Sequence, residues 1–320
     1  MRTYRTFVLG AAMLALLLSA CSSGEGNGSS ADASTPAGSQ AAGSQAADLP
    51  EITIGSAGFW ESAVVAEIYA QALEKAGFTV ERELELGARD VTHPALVDGQ
   101  IDIMPEYIGG YLAVTYGGEP TSDVEESLEA LRTELEADGL VALEPTPGTD
   151  ADGFAVRQET ADELGLATMS DLAEVADQLR WGVAQECAEN PNCGPGLERV
   201  YGIDFDSLDV ETLGACNSAI AEALNANNID VAQVCTTQPE IAAFGLVLLE
   251  DDKGLAPAQN IVPVVRQELM DAAGDLIEST LNPISELLTT EELTNLGNQV
   301  VINGESYEDA AAQWLEDNGF

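Results

Sequence analysis

Residues 51–110 read EITIGSAGFWESAVVAEIYAQALEKAGFTVERELELGARDVTHPALVDGQIDIMPEYIGG, and the order of apolar runs in this stretch decides the fold. The β-branched run ITIGS at 52–56 predicts a short strand. The next segment, SAVVAEIYAQALEKAG at 62–77, repeats apolar side chains at helical spacing and ends in glycine, which is typical of an amphipathic helix. TVERELEL at 79–86 and IDIMPEY at 101–107 predict two more strands, with a short helix between them. This alternation indicates an α/β sheet with right-handed crossovers.

The same alternation returns further along the chain. The middle contains the strand candidates GFAVR, RWGVA, IDVAQV and GLVLLE, and the tail contains IVPVVR followed by three amphipathic helices. We therefore predict two lobes that are connected twice and enclose a ligand cleft. Lobe one would comprise residues 49–147 and 250–320, and lobe two residues 148–249. The hinges are expected near 145–154 and 248–252.

The amino terminus predicts export. A basic start with Arg2 and Arg5 leads into FVLGAAMLALLL and then Leu-Ser-Ala-Cys21. This resembles a bacterial lipoprotein signal peptide (residues 1–20), in which Cys21 would be lipidated and hold the protein at the outer face of the cytoplasmic membrane. An ordinary signal peptide that happens to carry a cysteine is the alternative. Residues 21–48 lack large apolar side chains and predict a flexible tether.

Charge excludes one class of partner. The 320 residues include 56 acidic and 11 basic side chains, a net charge of −45 at pH 7. Nucleic-acid binding needs a basic footprint, which this chain lacks. The acidity either attracts cations or keeps the protein soluble in a saline or alkaline exterior, and the second interpretation is favoured. No second apolar run approaches the length of a membrane span, so the chain is not expected to be a permease itself.

The four cysteines beyond the signal region predict disulfides. With one histidine in the chain, His93, a zinc site is disfavoured, and no metal or other cofactor is expected. The spacing favours Cys187 with Cys193 and Cys216 with Cys235, while the other connectivities stay open. The lone histidine has no neighbouring serine elbow, which argues against a hydrolase.

Several phrases in the right order resemble one family. Besides residues 55–110, they are DADGFAVRQETADELGL, ECAENPNCGPGLERVYGI and LEDDKGLAPAQNIVPVVR. They resemble the osmoprotectant-binding proteins of ABC importers, which take glycine betaine, choline and carnitine, and the likeness covers nearly all of residues 51–320. The resemblance implies a type II periplasmic-binding-protein fold, an ABC permease and its ATPase as partners, a monomer and no enzymatic activity. A binding protein for a different small zwitterion, or a ligand-sensing domain, is the alternative.

The resemblance also implies where the solute binds. A quaternary ammonium has no hydrogen-bond donor, so it is best held against aromatic faces, with polar groups kept for a carboxylate. Trp60 and Tyr107 are expected to face the cation, and Thr236, Thr237 and Gln238 to face the carboxylate from lobe two. The complete set of expected ligand-binding residues is Ser56, Phe59, Trp60, Tyr107, Tyr111, Asp150, Phe154, Asn217, Thr236, Thr237 and Gln238.

Each of these assignments has a structural alternative. The aromatic residues could belong to the core, and Asn217 and the threonines could be helix caps. The chain also departs from tyrosine-cage relatives, because Met104, Ile108 and Phe154 stand at cage positions and Pro257-Ala258 replaces a proline-tyrosine phrase. These changes leave the class intact but leave the identity of the solute open.

Overall fold

The computed structural model describes residues 49–320. The predicted signal peptide, the lipidation site Cys21 and the tether at 21–48 lie outside these described residues. The strands, in chain order, are β1 (Glu51–Gly55), β2 (Thr79–Glu83), β3 (Ile103–Tyr107), β4 (Leu140–Ala142), β5 (Asp152–Arg157), β6 (Arg180–Val183), β7 (Asp209–Thr212), β8 (Val231–Cys235), β9 (Leu246–Leu248) and β10 (Ile261–Arg266).

The helices alternate with these strands, and two of them continue into π-helical turns, at Leu197–Tyr201 and Asn298–Ile302. No helix in the described part of the chain is both long enough and apolar enough to span a membrane. The α-helices are α1 (Trp60–Ala76), α2 (Arg89–Val97), α3 (Ile108–Tyr116), α4 (Val124–Ala137), α5 (Gln158–Leu164), α6 (Met169–Ala173), α7 (Gly194–Gly196), α8 (Ser218–Asn225), α9 (Glu240–Phe244), α10 (Gln267–Ser285), α11 (Thr290–Gly297) and α12 (Tyr307–Asp317).

The first sheet has the strand order β2-β1-β3-β10-β4 and is the centre of lobe one. Strand β1 runs parallel to β2 and β3, whereas β10 returns from the tail antiparallel to β3 and β4. Every residue of β3 is buried, because helices cover both faces of the sheet. The apolar face predicted for α1 is confirmed, since Val64, Val65, Ile68 and Leu73 are fully buried.

The second sheet has the order β7-β6-β8-β5-β9 and is the centre of lobe two. Its interior strands match the apolar runs of the sequence. The edge strand β7, with the sequence DVET, was not predicted, and all four of its residues are exposed. An edge strand without a buried face has no reason to show the alternation that identifies a half-buried strand.

Two crossover segments connect the lobes, and they pair with each other. Thr149 and Asn260 form an isolated antiparallel bridge, and the Asp150 amide donates to the Gln259 carbonyl at 3.1 Å. The Thr236 hydroxyl donates to the Thr149 carbonyl at 2.6 Å, which ties lobe two to the first crossover. Two connecting segments of this kind can act as a hinge, about which each lobe moves as a rigid body.

The exact residue boundaries of the lobes stay a prediction, with 49–147 and 250–320 assigned to lobe one and 148–249 to lobe two. The strand order supports them, because β1 to β4 share a sheet with β10, and β5 to β9 form the other. The hinge predicted at 145–154 covers the first crossover. The second predicted hinge, 248–252, covers only the start of a crossover that continues to β10.

Two disulfides are present, and they are the pairs that the spacing favoured. Cys187 is bonded to Cys193, and both residues are buried in lobe two. Cys216 is bonded to Cys235, which joins the residue before the Asn217 cap of α8 to the last residue of β8. The second disulfide therefore fixes two turns that meet at the face of lobe two nearest the crossovers.

Candidate ligand-binding site

A cavity of about 370 Å³ lies between the two lobes. Lobe one supplies the turn between β1 and the start of α1, and lobe two supplies the turns before α8 and after β8. Asp150, in the first crossover, and Val301, in the π-helical turn after α11, complete the wall. The lining residues are Phe59, Trp60, Glu61, Asp150, Cys216, Asn217, Ser218, Cys235, Thr237, Gln238, Pro239, Glu240 and Val301.

A buried carboxyl–phenol pair forms the floor on the side of lobe one. Glu61 lies in the first turn of α1 and is 1% exposed, and Tyr107 ends β3 and is 5% exposed. The Tyr107 hydroxyl donates to Glu61 Oε1 at 2.6 Å. A carboxylate in the first turn of a helix also interacts favourably with the helix dipole. These two interactions hold an acidic group in the closed interior of the protein.

The acidic groups of this cavity have shifted pKa values. Burial, and then the charge of Asp150, raise the pKa of Glu61 to about 8, although hydrogen bonds from Tyr107 and Thr237 oppose the shift. Burial also raises the pKa of Asp150 to about 6. The pKa of Tyr107 is raised as well, chiefly by burial, so its hydroxyl stays protonated and remains a donor. A cation in the cavity would favour the ionised form of both carboxyl groups.

Hydrogen bonds connect the turns that form the wall of lobe two. Asn217 caps α8, with its side-chain oxygen accepting from the Ile220 amide at 3.2 Å. Gln238 Nε2 donates to the Asn217 carbonyl at 3.0 Å, and the Ser218 hydroxyl donates to Glu240 Oε1. The Cys216–Cys235 disulfide adds a covalent link, so this wall is held as a unit.

Aromatic faces are available at the mouth of the cavity. Phe59 is 40% exposed, and its ring centroid lies 5.7 Å from that of Tyr107. Trp60 is partly buried and lines the same cavity. Phe59 precedes α1 and caps it without a side-chain hydrogen bond, so its side chain is not required for the start of the helix. Its ring is therefore free to contact a ligand.

A second cavity of about 340 Å³ lies next to the first, and Phe59 lines both. It contains one basic residue, Arg89, whose Nε and Nη2 lie 3.0 and 2.9 Å from Glu106 Oε2. Glu106 is 3% exposed, so the positive charge of Arg89 is largely compensated by a buried carboxylate. The neighbouring cavity therefore offers little attraction for an anion.

The lobes touch beside the cavity at a glycine. A β-carbon on Gly297 would come within 2.6 Å of Trp60 Cη2 and 2.8 Å of Pro239 Cγ. Gly297 and Trp60 belong to lobe one and Pro239 to lobe two. Only a residue without a side chain permits so close an approach. The two lobes are therefore in contact beside the cavity.

Seven of the eleven expected ligand-binding residues are brought to this site. Six line the cavity. Tyr107 does not line it, but its hydroxyl donates a hydrogen bond to the lining residue Glu61. The residues that line the cavity are Phe59, Trp60, Asp150, Asn217, Thr237 and Gln238. The other four, described next, are not brought there.

Ser56 and Thr236 use their hydroxyls within the backbone framework. Ser56 Oγ accepts from the Glu85 amide at 2.7 Å and donates to the Ala57 carbonyl, which fixes the turn after β1. Thr236 Oγ1 accepts from the Ala151 amide at 3.0 Å in addition to its bond to the crossover. Both residues shape the site without lining it.

Tyr111 and Phe154 are core residues, so the prediction that they contact the ligand is not supported. Tyr111 packs in the part of the core below α3 and contacts His93 Nδ1 through its hydroxyl at 2.8 Å. Phe154 lies inside β5 and packs edge to face against Trp181, with ring centroids 5.5 Å apart. Both positions match the core alternative, because each side chain packs in the core of its own lobe, and contact with a ligand stays a prediction.

Four lining residues besides the cysteines and Pro239 were missed by sequence reasoning, namely Glu61, Ser218, Glu240 and Val301. Glu61 could have been found, because it follows Trp60 directly and a carboxylate complements a cation as well as an aromatic face does. Ser218 follows the predicted Asn217. Glu240 and Val301 reach the cavity only through the packing of α9 against the turn after α11, which no local pattern reports.

The chain is similar to known solute-binding proteins. Residues 50–317 match the family described as the substrate binding domain of ABC-type glycine betaine transport system, OpuAC. The glycine-betaine-binding protein of Pseudomonas aeruginosa is 30% identical over 281 residues, which cover 85% of this chain and 89% of that protein. The carnitine transport binding protein OpuCC of Listeria monocytogenes is 30% identical over 254 residues, covering 77% of this chain and 79% of that protein.

A solved structure shows the same architecture. Apo YehZ from Escherichia coli aligns with a TM-score of 0.77 at 25% identity, covering 84% of this chain and 99% of that chain. The expected two-lobed periplasmic-binding-protein fold of type II is therefore confirmed.

The two disulfides should differ in their effect on the cavity. Replacing Cys216 and Cys235 by alanine should lower the free energy of unfolding by about 3 kcal/mol, because the bond closes a loop of sequence separation 19. It should also speed amide hydrogen exchange in residues 213–220 and 235–241. The matched control, Cys187→Ala with Cys193→Ala, should cost about 2 kcal/mol for its separation of 6 and leave exchange in those segments unchanged. Equal exchange in both variants would contradict a role for Cys216–Cys235 in the wall.

Proposed function

Because the chain belongs to the family of substrate-binding domains of ABC-type glycine betaine transport systems, we propose that it captures a quaternary-ammonium solute in the cavity between its lobes. The captured solute is then delivered to an ABC permease and its ATPase. The family acts outside the cytoplasm and consists of binding proteins of transporters. Glycine betaine, choline and carnitine are the solutes that the relatives indicate.

The observation that carries this proposal is the pairing of aromatic faces with buried carboxyl groups. Phe59 and Trp60 line the cavity beside Glu61 and Asp150. A quaternary ammonium is attracted to the face of an aromatic ring, and the attraction grows when water is excluded. Negative charge on the carboxyl groups that line the same cavity adds attraction that a solute without a positive group would not feel. The cavity therefore matches a small organic cation.

Lobe contact explains how the solute would be retained. The ligand would touch lobe one at Phe59 and Trp60 and lobe two at Thr237 and Gln238. A solute that contacts both lobes favours the closed arrangement over the open one by the sum of those contacts. The closed arrangement is then the signal that a permease can recognise, because it differs in shape from the empty protein.

We also propose that Cys21 is lipidated and anchors the protein to the outer face of the cytoplasmic membrane. The sequence Leu-Ser-Ala-Cys21 after an apolar run supports this. A Gly/Ser-like coil of residues 21–48 would have a root-mean-square reach of about 25–30 Å. That reach would let the folded body turn and dock on a permease in the same membrane.

Removal of the anchor should separate attachment from binding. Cys21→Ala should release the protein from the membrane fraction, because no acyl chain can be attached, and should leave the affinity for choline unchanged. Fractionation followed by immunoblotting and calorimetry measures both properties. Persistent membrane attachment of the Cys21→Ala protein would refute lipidation at this residue.

Loss of an aromatic face should weaken binding. Trp60→Ala should reduce the affinity for choline by about thirtyfold, since a desolvated cation–π contact contributes about 2 kcal/mol. Trp60→Phe should recover part of this loss, because it restores a smaller aromatic face. Phe59→Ala, at the more exposed ring, should reduce affinity by about tenfold. Isothermal titration calorimetry measures each effect.

Phe320→Ala is the matched control for Phe59→Ala, because both residues are 40% exposed and Phe320 does not line the cavity. This control should bind choline as the wild type does. If Trp60→Ala and Phe59→Ala also bound choline as the wild type does, the cation would have to be held elsewhere.

A further inference from the structure

Three buried oxygen atoms around the cavity have no hydrogen-bond partner. They are Glu61 Oε2 from lobe one, Asp150 Oδ1 from the crossover and Gln238 Oε1 from lobe two. Buried acceptors are nearly always paired, because an unpaired one loses its hydration and gains nothing in return. When Glu61 is ionised, three such atoms from three parts of the fold, all on residues that line one cavity, indicate that a ligand supplies the missing donors.

The unpaired side-chain atom of Gln238 is the amide oxygen Oε1, which can only accept a hydrogen bond. Its Nε2 donates to the Asn217 carbonyl at 3.0 Å, which fixes the orientation of the amide and leaves Oε1 unpaired. The Gln238 amide is thus committed on one side, and only the second hydrogen of Nε2 remains for a ligand carboxylate, since a carboxylate needs donors. Thr236 is likewise committed to the crossover.

Three side-chain donors near the cavity are already engaged. The Tyr107 hydroxyl donates to Glu61 Oε1, and the Ser218 hydroxyl donates to Glu240. The Asn217 side-chain amide donates to the Ala215 carbonyl at 3.2 Å. The Thr237 hydroxyl lies near both Glu61 and Asp150, and its single proton can serve only one of them.

The charge of the lining has one sign. Three of the lining residues are acidic (Glu61, Asp150 and Glu240) and none is basic. Arg89 in the neighbouring cavity is paired with Glu106. A ligand carboxylate would therefore lose its hydration and meet negative charge, with no opposite charge free to compensate it.

We propose that this cavity selects organic cations that carry a net positive charge and at least one hydrogen-bond donor, and that it discriminates against betaines, whose carboxylate cancels the charge. The inference rests on the proposed function, because it specifies which quaternary-ammonium solutes the same site takes. A hydroxyl-bearing quaternary ammonium fits both conditions: its methyl groups face Phe59 and Trp60 while its hydroxyl donates to one of the unpaired oxygens.

Three ligands separate charge from donor capacity. Choline has the charge and a hydroxyl, its methyl ether has the charge without a donor, and glycine betaine has the ammonium with a carboxylate. Calorimetry at about pH 8.5, above the pKa of about 8 for Glu61, keeps that carboxyl mostly ionised so that it cannot donate to glycine betaine. We expect choline to bind about tenfold more tightly than its methyl ether, the effect of one satisfied buried acceptor. We expect it to bind about a hundredfold more tightly than glycine betaine.

Two isosteric variants test the residues. Glu61→Gln and Asp150→Asn each remove one negative charge and should reduce the preference for choline over glycine betaine by about tenfold. The matched control Glu119→Gln removes the same charge from an exposed residue outside the cavity lining and should leave the preference unchanged. Circular dichroism identifies any variant that does not fold, and the comparison of ligands on the wild type does not depend on the variants.

The outcomes distinguish this inference from the function on which it rests. Glycine betaine binding as tightly as choline would overturn the inference and leave the proposed function standing. Equal affinity for choline and its methyl ether would overturn the donor requirement. Failure of all three ligands to bind would overturn the proposed function, and the inference with it.

Discussion

The hydrogen bond from the Tyr107 hydroxyl to the Glu61 carboxyl, 2.6 Å long, is the constraint on which the rest of the site depends. Strands β1 and β3 are parallel neighbours, so their carboxyl ends meet at one edge of the sheet. Glu61 arrives there on the first turn of α1, and Tyr107 is the last residue of β3. In open α/β sheets, ligands bind at the carboxyl ends of the strands. The topology therefore brings an acidic group to the place where this fold holds its ligand.

In that position, burial makes the ionised form of an acidic group unfavourable. A bound cation offsets this cost. Burial disfavours its charge, which is why the pKa of Glu61 rises to about 8 and that of Asp150 to about 6. A cation placed between these groups and the aromatic faces lowers the cost by Coulomb attraction in a medium where water screens little. Trp60 and Pro239 meet at Gly297, so the lobes are in contact beside the cavity, and any water that this contact excludes strengthens that attraction. Binding and lobe closure thus favour each other.

The sequence alone was sufficient for the fold and for part of the site. Alternating strands and helices, with a final strand in the tail, predicted two interleaved lobes, and cysteine spacing favoured the disulfides that are present. Residues in turns after strands, such as Trp60 and Gln238, could be assigned to the cavity because strand ends face the cleft. Tyr111 and Phe154 could not be separated from the core, since the direction of a side chain on a helix or within a strand depends on tertiary packing. Glu240 reaches the cavity only because α9 packs against the other lobe, and such a contact leaves no trace in local sequence.

The most direct test of a cation site built on buried carboxyl groups is the number of protons released when choline binds. Calorimetric titrations at pH 7 in phosphate and in Tris buffers give this number, because the two buffers differ in ionisation enthalpy. Before binding, Glu61 is mostly protonated at this pH, and the cation favours its ionised form. Binding should therefore release a large part of one proton per choline at pH 7, and the release should decline above about pH 9, where Glu61 is already ionised. Binding without proton release, or with proton uptake, would contradict a site in which the cation faces Glu61 and Asp150.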